Sequence, residues 1–188
     1  MKRLTYPERP GWREKARAAG FGFHEMYGEP YWLDDAAYAF TLEEIEERIE
    51  APIQKVWAAL NDPAVLKECI PGCQSLEKTS DKELAATVVL KIGPIKATFN
   101  GAVTLSNLKP LQGYTIAGEG KGGVAGFAKG GADVTLAEDG PNATILKYTA
   151  KADVGGKIAQ LGSRLIESTS KKLAGQFFST FNETVSAA

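Results

Sequence analysis

Three sets of residues in this 188-residue sequence have types and spacings that could do chemistry. The first is the glycine cluster from Gly118 to Ala132, "GEGKGGVAGFAKGGA", whose opening letters satisfy G-x-G-x-x-G. Such a turn holds a pyrophosphate when a strand enters it and a helix leaves it, because the helix N-terminus and free backbone amides then face the anion. Here the continuation, "VAGFAKGGADVTL", alternates like a strand, and no G-K-[ST] is present, so phosphate binding is not expected. The second set is Cys69 and Cys73 in "CIPGC". A bridge would require the Pro71-Gly72 turn to bring their Cα atoms within about 7 Å. A structural zinc site usually takes four protein ligands, and this chain has one histidine and no second cysteine pair. Two free thiols in a reducing compartment are the expectation. The third is that histidine, His24, which reads as a surface or packing residue of an N-terminal appendage. No catalytic residue, cofactor or metal follows from these sets.

Composition narrows the remaining classes. Twenty-two Lys and Arg against 23 Asp and Glu leave a formal charge of -1, which provides no electrostatic footprint for nucleic acid and no polybasic tether. Balanced charge is still compatible with transient membrane contact through apolar residues. No run reaches the roughly 18 to 20 apolar residues of a membrane span. The charged, proline-containing start "MKRLTYPERPGW" has no apolar core of a secretory signal. A cytoplasmic location, peripheral to the inner face of the membrane at most, is expected.

The elements that would position any site can be read in order. "GWREKARAAGF" fits a short helix closed by Gly20, and "GEPYW" reads as a turn. "FTLEEIEERIE" serves two readings: Thr41 and Glu44 form a capping box for a helix, while Phe40, Leu42, Ile45 and Ile49 suit a helix about as well as a strand. "APIQKVWAALND" places Ile53, Val56, Trp57 and Leu60 on one helical face, with Trp57 expected in the core. Asp62 then caps a second short helix that starts at Pro63 and stops at Pro71-Gly72. Five alternating segments follow, with Leu84 to Ile92, Ile95 to Leu105, Tyr114 to Gly120, Val124 to Leu136 and Thr144 to Val154 each presenting one apolar or small face. That pattern predicts an antiparallel meander, with Lys121 and Lys129 facing outward. From Ile158 to Phe181 the spacing predicts one long amphipathic helix, Arg164 lying on its solvated side. A curved sheet folded around that helix buries one face of each.

The inward face of the meander is rich in glycine and alanine where a filled core would carry Val, Leu or Phe. Either the helix approaches the sheet closely, or space remains between them; glycines that bend the strands account for part of the pattern. A cavity there would be lined by Phe99, Val103, Ile116, Ala128, Ala132, Leu146, Tyr148, Ile158, Leu161 and Leu165. Tyr148, Thr144 and Ser163 would be its polar handles, which suits a hydrophobic small molecule held by shape and one or two hydrogen bonds.

"APIQKVWAALNDPAVLKECIPGCQSLEK", "GFAKGGADVTL", "GGKIAQLGSRLI" and "KKLAGQFF" resemble, in order, blocks of the CoxG family, named for the G component of carbon monoxide dehydrogenase. The resemblance covers about residues 47–185. It implies an α+β helix-grip fold of the START-like (SRPBCC, Bet v1-like) superfamily: a curved antiparallel sheet around a long C-terminal helix, with two short helices after the first strand. It also implies a non-catalytic accessory protein of a molybdenum hydroxylase, such as aerobic carbon monoxide dehydrogenase, that binds a quinone or lipid-like ligand and helps couple the enzyme to the membrane. Relatives often carry a C-terminal membrane-binding extension; after "FNETVSAA" none is seen, so direct anchoring is not expected. A cyclase or hydrolase on the same fold, or a docking protein with a filled core, are the alternatives. "PGWREKARAAGFGFHEMYGEPYW" instead resembles the N-terminus of glutathionylspermidine synthase-like ligases, without their ATP-binding body, and implies no ligase activity. The expected organisation is an appendage over residues 1–38 and a helix-grip domain over 39–188.

Overall fold

In the computed structural model of the chain, which describes residues 23–26, 29–32 and 38–187, the five alternating segments become five consecutive antiparallel strands. The helix expected near residues 11–21 lies outside the described residues. Phe23–Met26 (β1) and Glu29–Trp32 (β2) pair as a two-stranded sheet, with Phe23 opposite Trp32 and His24 opposite Tyr31. "GEPYW" is therefore a strand for most of its length, not a turn. Tyr31 and Trp32 favour extended backbone, and Pro30 is tolerated because a two-stranded sheet has only edges.

Tyr38–Ile49 (β3) resolves the ambiguous segment as a strand. The three-residue step from Leu42 to Ile45 that resembled helical spacing is a bulge against Thr144–Gly155 (β9): Leu42 pairs with Ala150 and Ile45 with Tyr148. One extra residue inserted into a strand turns a spacing of two into three while both apolar side chains keep facing inward. Leu42 and Ile49 are buried, and Ile45 packs on the same core.

Two short helices follow, Ile53–Leu60 (α1) and Pro63–Cys69 (α2). Asp62 accepts a 2.8 Å hydrogen bond from the Ala64 amide and Pro63 opens α2, as a capped start requires. They carry the chain from β3 at one edge of the main sheet to Cys73–Ser80 (β4) at the other. Glu83–Ile92 (β5), Ile95–Lys109 (β6), Gly113–Lys121 (β7) and Phe127–Glu138 (β8) then return strand by strand, giving the seven-stranded order β3-β9-β8-β7-β6-β5-β4.

β8 starts at Phe127, later than its alternation suggested, because Gly123–Ala125 forms a 3-10 turn and Gly126 adopts φ +112°. Val124, assigned by alternation to the inner face, is instead 85 % exposed at that turn. The final helix is likewise shorter than its apolar spacing. Gly156–Leu161 is a 3-10 segment, Gly162 breaks it at φ +87°, and the α-helix Ser163–Ala187 (α3) runs for 25 residues from there. Ile158 and Leu161 thus belong to a separate segment. α3 turns Ile166, Phe181 and Val185 inward to full burial. None of the described helices is long and apolar enough to cross a membrane.

The candidate ligand cavities

The strand registers sort the inward residues into rows across the sheet. One row runs Tyr114, Val134, Tyr148, Ile45 across β7, β8, β9 and β3. The next runs Leu105, Ile116, Ala132, Ala150. Two rows of mostly small residues follow: Leu84, Val103, Gly118, Gly130, Ala152, and then Ala86, Gly101, Gly120, Ala128, Val154. Since side chains of one row share one face, the sheet offers α3 a large-residue end and a nearly bare middle.

Two cavities lie under the helix. The first, about 270 Å³, is bounded by Tyr114, Tyr148, Phe177 and Phe178, by Leu60 and Leu66 of the short helices, and by Leu76 and Lys78 of β4. The second, about 410 Å³, lies over the small-residue rows, floored by Gly101, Gly118, Gly120 and Ala128 and covered by Ile158, Ile166 and Leu173. Ile70 and Val103 border both.

Of the residues expected to line a cavity, Ile116, Ala132, Leu146 and Tyr148 border the first, Phe99, Ala128 and Ile158 the second, and Val103 both. Leu161 and Leu165 border neither. Both lie over the β5–β6 hairpin, where a Cβ on Gly93 would come within 2.8 Å of a Leu165 methyl and 4.0 Å of one of Leu161. Two expected polar handles are also misplaced. Thr144 is fully buried, but its hydroxyl is spent on a 2.8 Å bond to the Ala51 carbonyl, tying β9 to the start of α1. Ser163 is exposed on the first turn of α3.

The sequence reading missed Tyr114 as a polar group. It is 6 % exposed, and its ring meets Trp57 edge-on at 5.8 Å. Tyr148, 8 % exposed, stacks on Phe178 at 5.2 Å. Neither hydroxyl makes a hydrogen bond among the described residues, and neither is fully enclosed. Burial pushes both phenols above their ordinary range, and the Glu47 carboxylate adds to the effect at Tyr148. Glu47 is an inward-facing carboxylate that alternation alone did not reveal, because the bulge sets the phase of β3; it is half-buried and borders neither cavity. Asn61 and Lys78 are the other polar side chains at the first cavity, and Thr169 and Ser170 at the second. Glu119 borders the second cavity, with its carboxylate exposed 3.8 Å from the Lys121 ammonium.

The glycine cluster divides by task. Gly118 and Gly120 lie on β7 and face the second cavity, whereas Gly126 and Gly130 do not border it. A Cβ on Gly130 would stand 2.2 Å from the Lys151 carbonyl oxygen, so this glycine lets β9 approach β8. No helix leaves the cluster, which removes the amide cradle a pyrophosphate would need. Cys69 is buried and Cys73 half-buried, both as free thiols, and burial raises the pKa of each. Among the described residues no group of three or more His, Cys, Asp or Glu is arranged to hold a metal ion.

Known proteins share this arrangement. A conserved protein from Geobacillus kaustophilus is 28 % identical and superposes with a TM-score of 0.72 over 77 % of this chain and 94 % of its own. The Zhui aromatase/cyclase of a Streptomyces species is 12 % identical, with a TM-score of 0.60 over 79 % of this chain and 94 % of the enzyme. A truncated norcoclaurine synthase from Thalictrum flavum is 16 % identical, with a TM-score of 0.52 over 79 % of this chain and 94 % of the synthase. At such identities the two enzymes show the helix-grip fold alone. Residues 3–66 match the glutathionylspermidine synthase preATP-grasp region. Residues 46–186 match CoxG, the G component of carbon monoxide dehydrogenase. That span holds the seven-stranded sheet apart from the start of β3, both cavities and nearly all of α3, and the chain belongs to the CoxG family of carbon monoxide dehydrogenase accessory proteins.

Proposed function

We propose that the chain carries a hydrophobic small molecule, a quinone or lipid-like compound, for a molybdenum hydroxylase such as aerobic carbon monoxide dehydrogenase. It does no chemistry on that molecule, and it meets the membrane only in passing. The observation that carries this reading is the pair of adjoining apolar cavities between sheet and helix, where a docking protein with no ligand would have a filled core. General acid–base catalysis would need a base and an acid within reach of a bound substrate. The groups at the cavities are instead phenols with raised pKa values, hydroxyls, an amide, and two charged side chains, Lys78 and Glu119, that reach solvent. Family membership supports an accessory role beside an oxidoreductase.

The full chain, purified from a respiring host, is extracted with organic solvent and the extract is analysed by mass spectrometry. A quinone or other long-chain lipid in near-stoichiometric amount is the expected result. Protein that is empty on purification and takes up no quinone when titrated would defeat the proposal.

A further inference from the structure

The formal charge of -1 hides an uneven distribution. Three connections meet at one end of the main sheet: the β5–β6 turn, the turn between β7 and β8, and the 3-10 segment Gly156–Leu161 that leads into α3. The 3-10 segment joins the other two into one surface. At its start Gly126 packs so closely that an added Cβ would stand 2.9 Å from the Gly156 Cα, and at its end Leu161 lies over Gly93. Lys91, Lys96, Lys121, Lys157 and Arg164 are all exposed here, and residues 91–96, 121–126 and 155–165 contain no Asp or Glu. Glu119 approaches the Lys121 ammonium to 3.8 Å, which still leaves the surface cationic. The opposite end carries Asp81 and Glu83 at the β4–β5 turn and Glu138 and Asp139 at the β8–β9 turn, against Lys82 and Lys109.

Val124 projects from the same surface. At 85 % exposure it is the one large hydrophobic side chain among the described residues left in water. It is held there, because Ala125 beside it is 4 % exposed and packs with Phe99, Val154 and Ile158, while Gly123 and Gly126, at φ +59° and +112°, make the tight turn. We propose that this end of the molecule docks on an anionic lipid bilayer, Val124 entering the headgroup boundary and the basic side chains meeting lipid phosphates. An apolar side chain on a rigid turn, ringed by flexible cations, suits a lipid interface. A protein-docking face would centre on a packed aromatic anchor, and these three stretches contain no aromatic residue. The inference rests on the carrier reading for its purpose and adds the face that is used. Phe99, Val154 and Ile158, on which Ala125 packs, also line the second cavity, so docking here brings that cavity against the bilayer that holds a lipid-like ligand.

The test is co-sedimentation of the full chain with vesicles of phosphatidylcholine, alone or mixed equally with phosphatidylglycerol. The mixed vesicles should bind the protein, less tightly as salt rises, and the neutral ones should not. Lys96→Gln with Lys157→Gln removes two charges and should weaken binding about twenty-five-fold, about fivefold for each. Val124→Ser should weaken it about fivefold and Val124→Trp should strengthen it. Lys82→Gln with Lys109→Gln, at the opposite end, should change it by less than about twofold. Equal binding to both kinds of vesicle, binding to neither, equal losses from the two lysine pairs, or Val124 variants without effect would each overturn the proposal. So would a first lysine pair that keeps vesicle binding but abolishes co-elution with a purified molybdenum hydroxylase, which would make this face a protein dock. Quinone titration without vesicles keeps the two readings apart. The variants should take up quinone as the wild type does, and a wild-type protein that takes up none defeats the carrier reading while the vesicle result stands.

Discussion

The row through Tyr114, Val134 and Tyr148 and the row through Gly118, Gly130 and Ala152 lie four residues apart along the same three strands. They use the space beneath the helix in opposite ways. In the first row side chains fill most of the volume, and the cavity that remains is walled by rings. In the second, and in the small-residue row beside it, side chains are missing, but for two reasons that composition cannot separate. Gly120 faces open space: a Cβ there would meet Phe99 at an ordinary 3.7 Å. Gly130 faces the neighbouring strand, where a Cβ would stand 2.2 Å from a carbonyl oxygen and 2.9 Å from the Ala152 Cα. One glycine leaves room for a guest, and the other lets the sheet close on itself.

The sharpest way to break this contrast is Gly130→Val. The added atoms collide with backbone, which cannot swing away as a side chain can, so a loss of about 4 kcal/mol or more is expected in denaturant unfolding. A fully stable variant would show that the close approach of β8 and β9 is not required. Leu146→Ala, beside the aromatic row, should cost about 3 kcal/mol by the same measurement. Leu146 is 1 % exposed, and the rings around it are too fixed to collapse into the gap.

Alkaline titration probes the same row. The phenols of Tyr114 and Tyr148 have folded-state pKa values above their unfolded value of about 10. Between the two values the folded protein binds more protons than the unfolded chain, so stability is fully present below pH about 10 and falls as pH rises through the folded values. The Tyr114→Phe, Tyr148→Phe double variant should lose that decline, and an unchanged pH profile would place the effect elsewhere. The smallest effect belongs to Gly120→Ala, expected to change stability by less than about 1 kcal/mol because its methyl enters space already open. A loss as large as that of Gly130→Val would erase the distinction between the two glycines.

Much of the fold was legible from local pattern. Alternation located strands β5 to β9 because each has one face turned to the helix and one to water, and Asp62-Pro63 announced α2 by its capping chemistry. The failures share one cause: periodicity assumes an uninterrupted element. The bulge in β3 made a strand look partly helical, Gly162 ended a helix whose apolar spacing continued through it, and the turn at Gly123–Ala125 put Val124 in water. Eight of the ten expected lining residues border a cavity, while Leu161 and Leu165 lie over the β5–β6 hairpin beside Gly93.

By itself the sequence determined that a sheet with one bare, small-residue face must meet an amphipathic helix. That follows from side-chain size and alternation, which are local properties of the chain. Only the tertiary structure decided which absent side chains became space. Whether a missing Cβ leaves a void or admits a neighbouring strand depends on residues far away in sequence, as Lys151 does for Gly130 and Phe99 does for Gly120. The same holds for Tyr114, whose ring came to border an apolar cavity only when Trp57 and α3 closed around it.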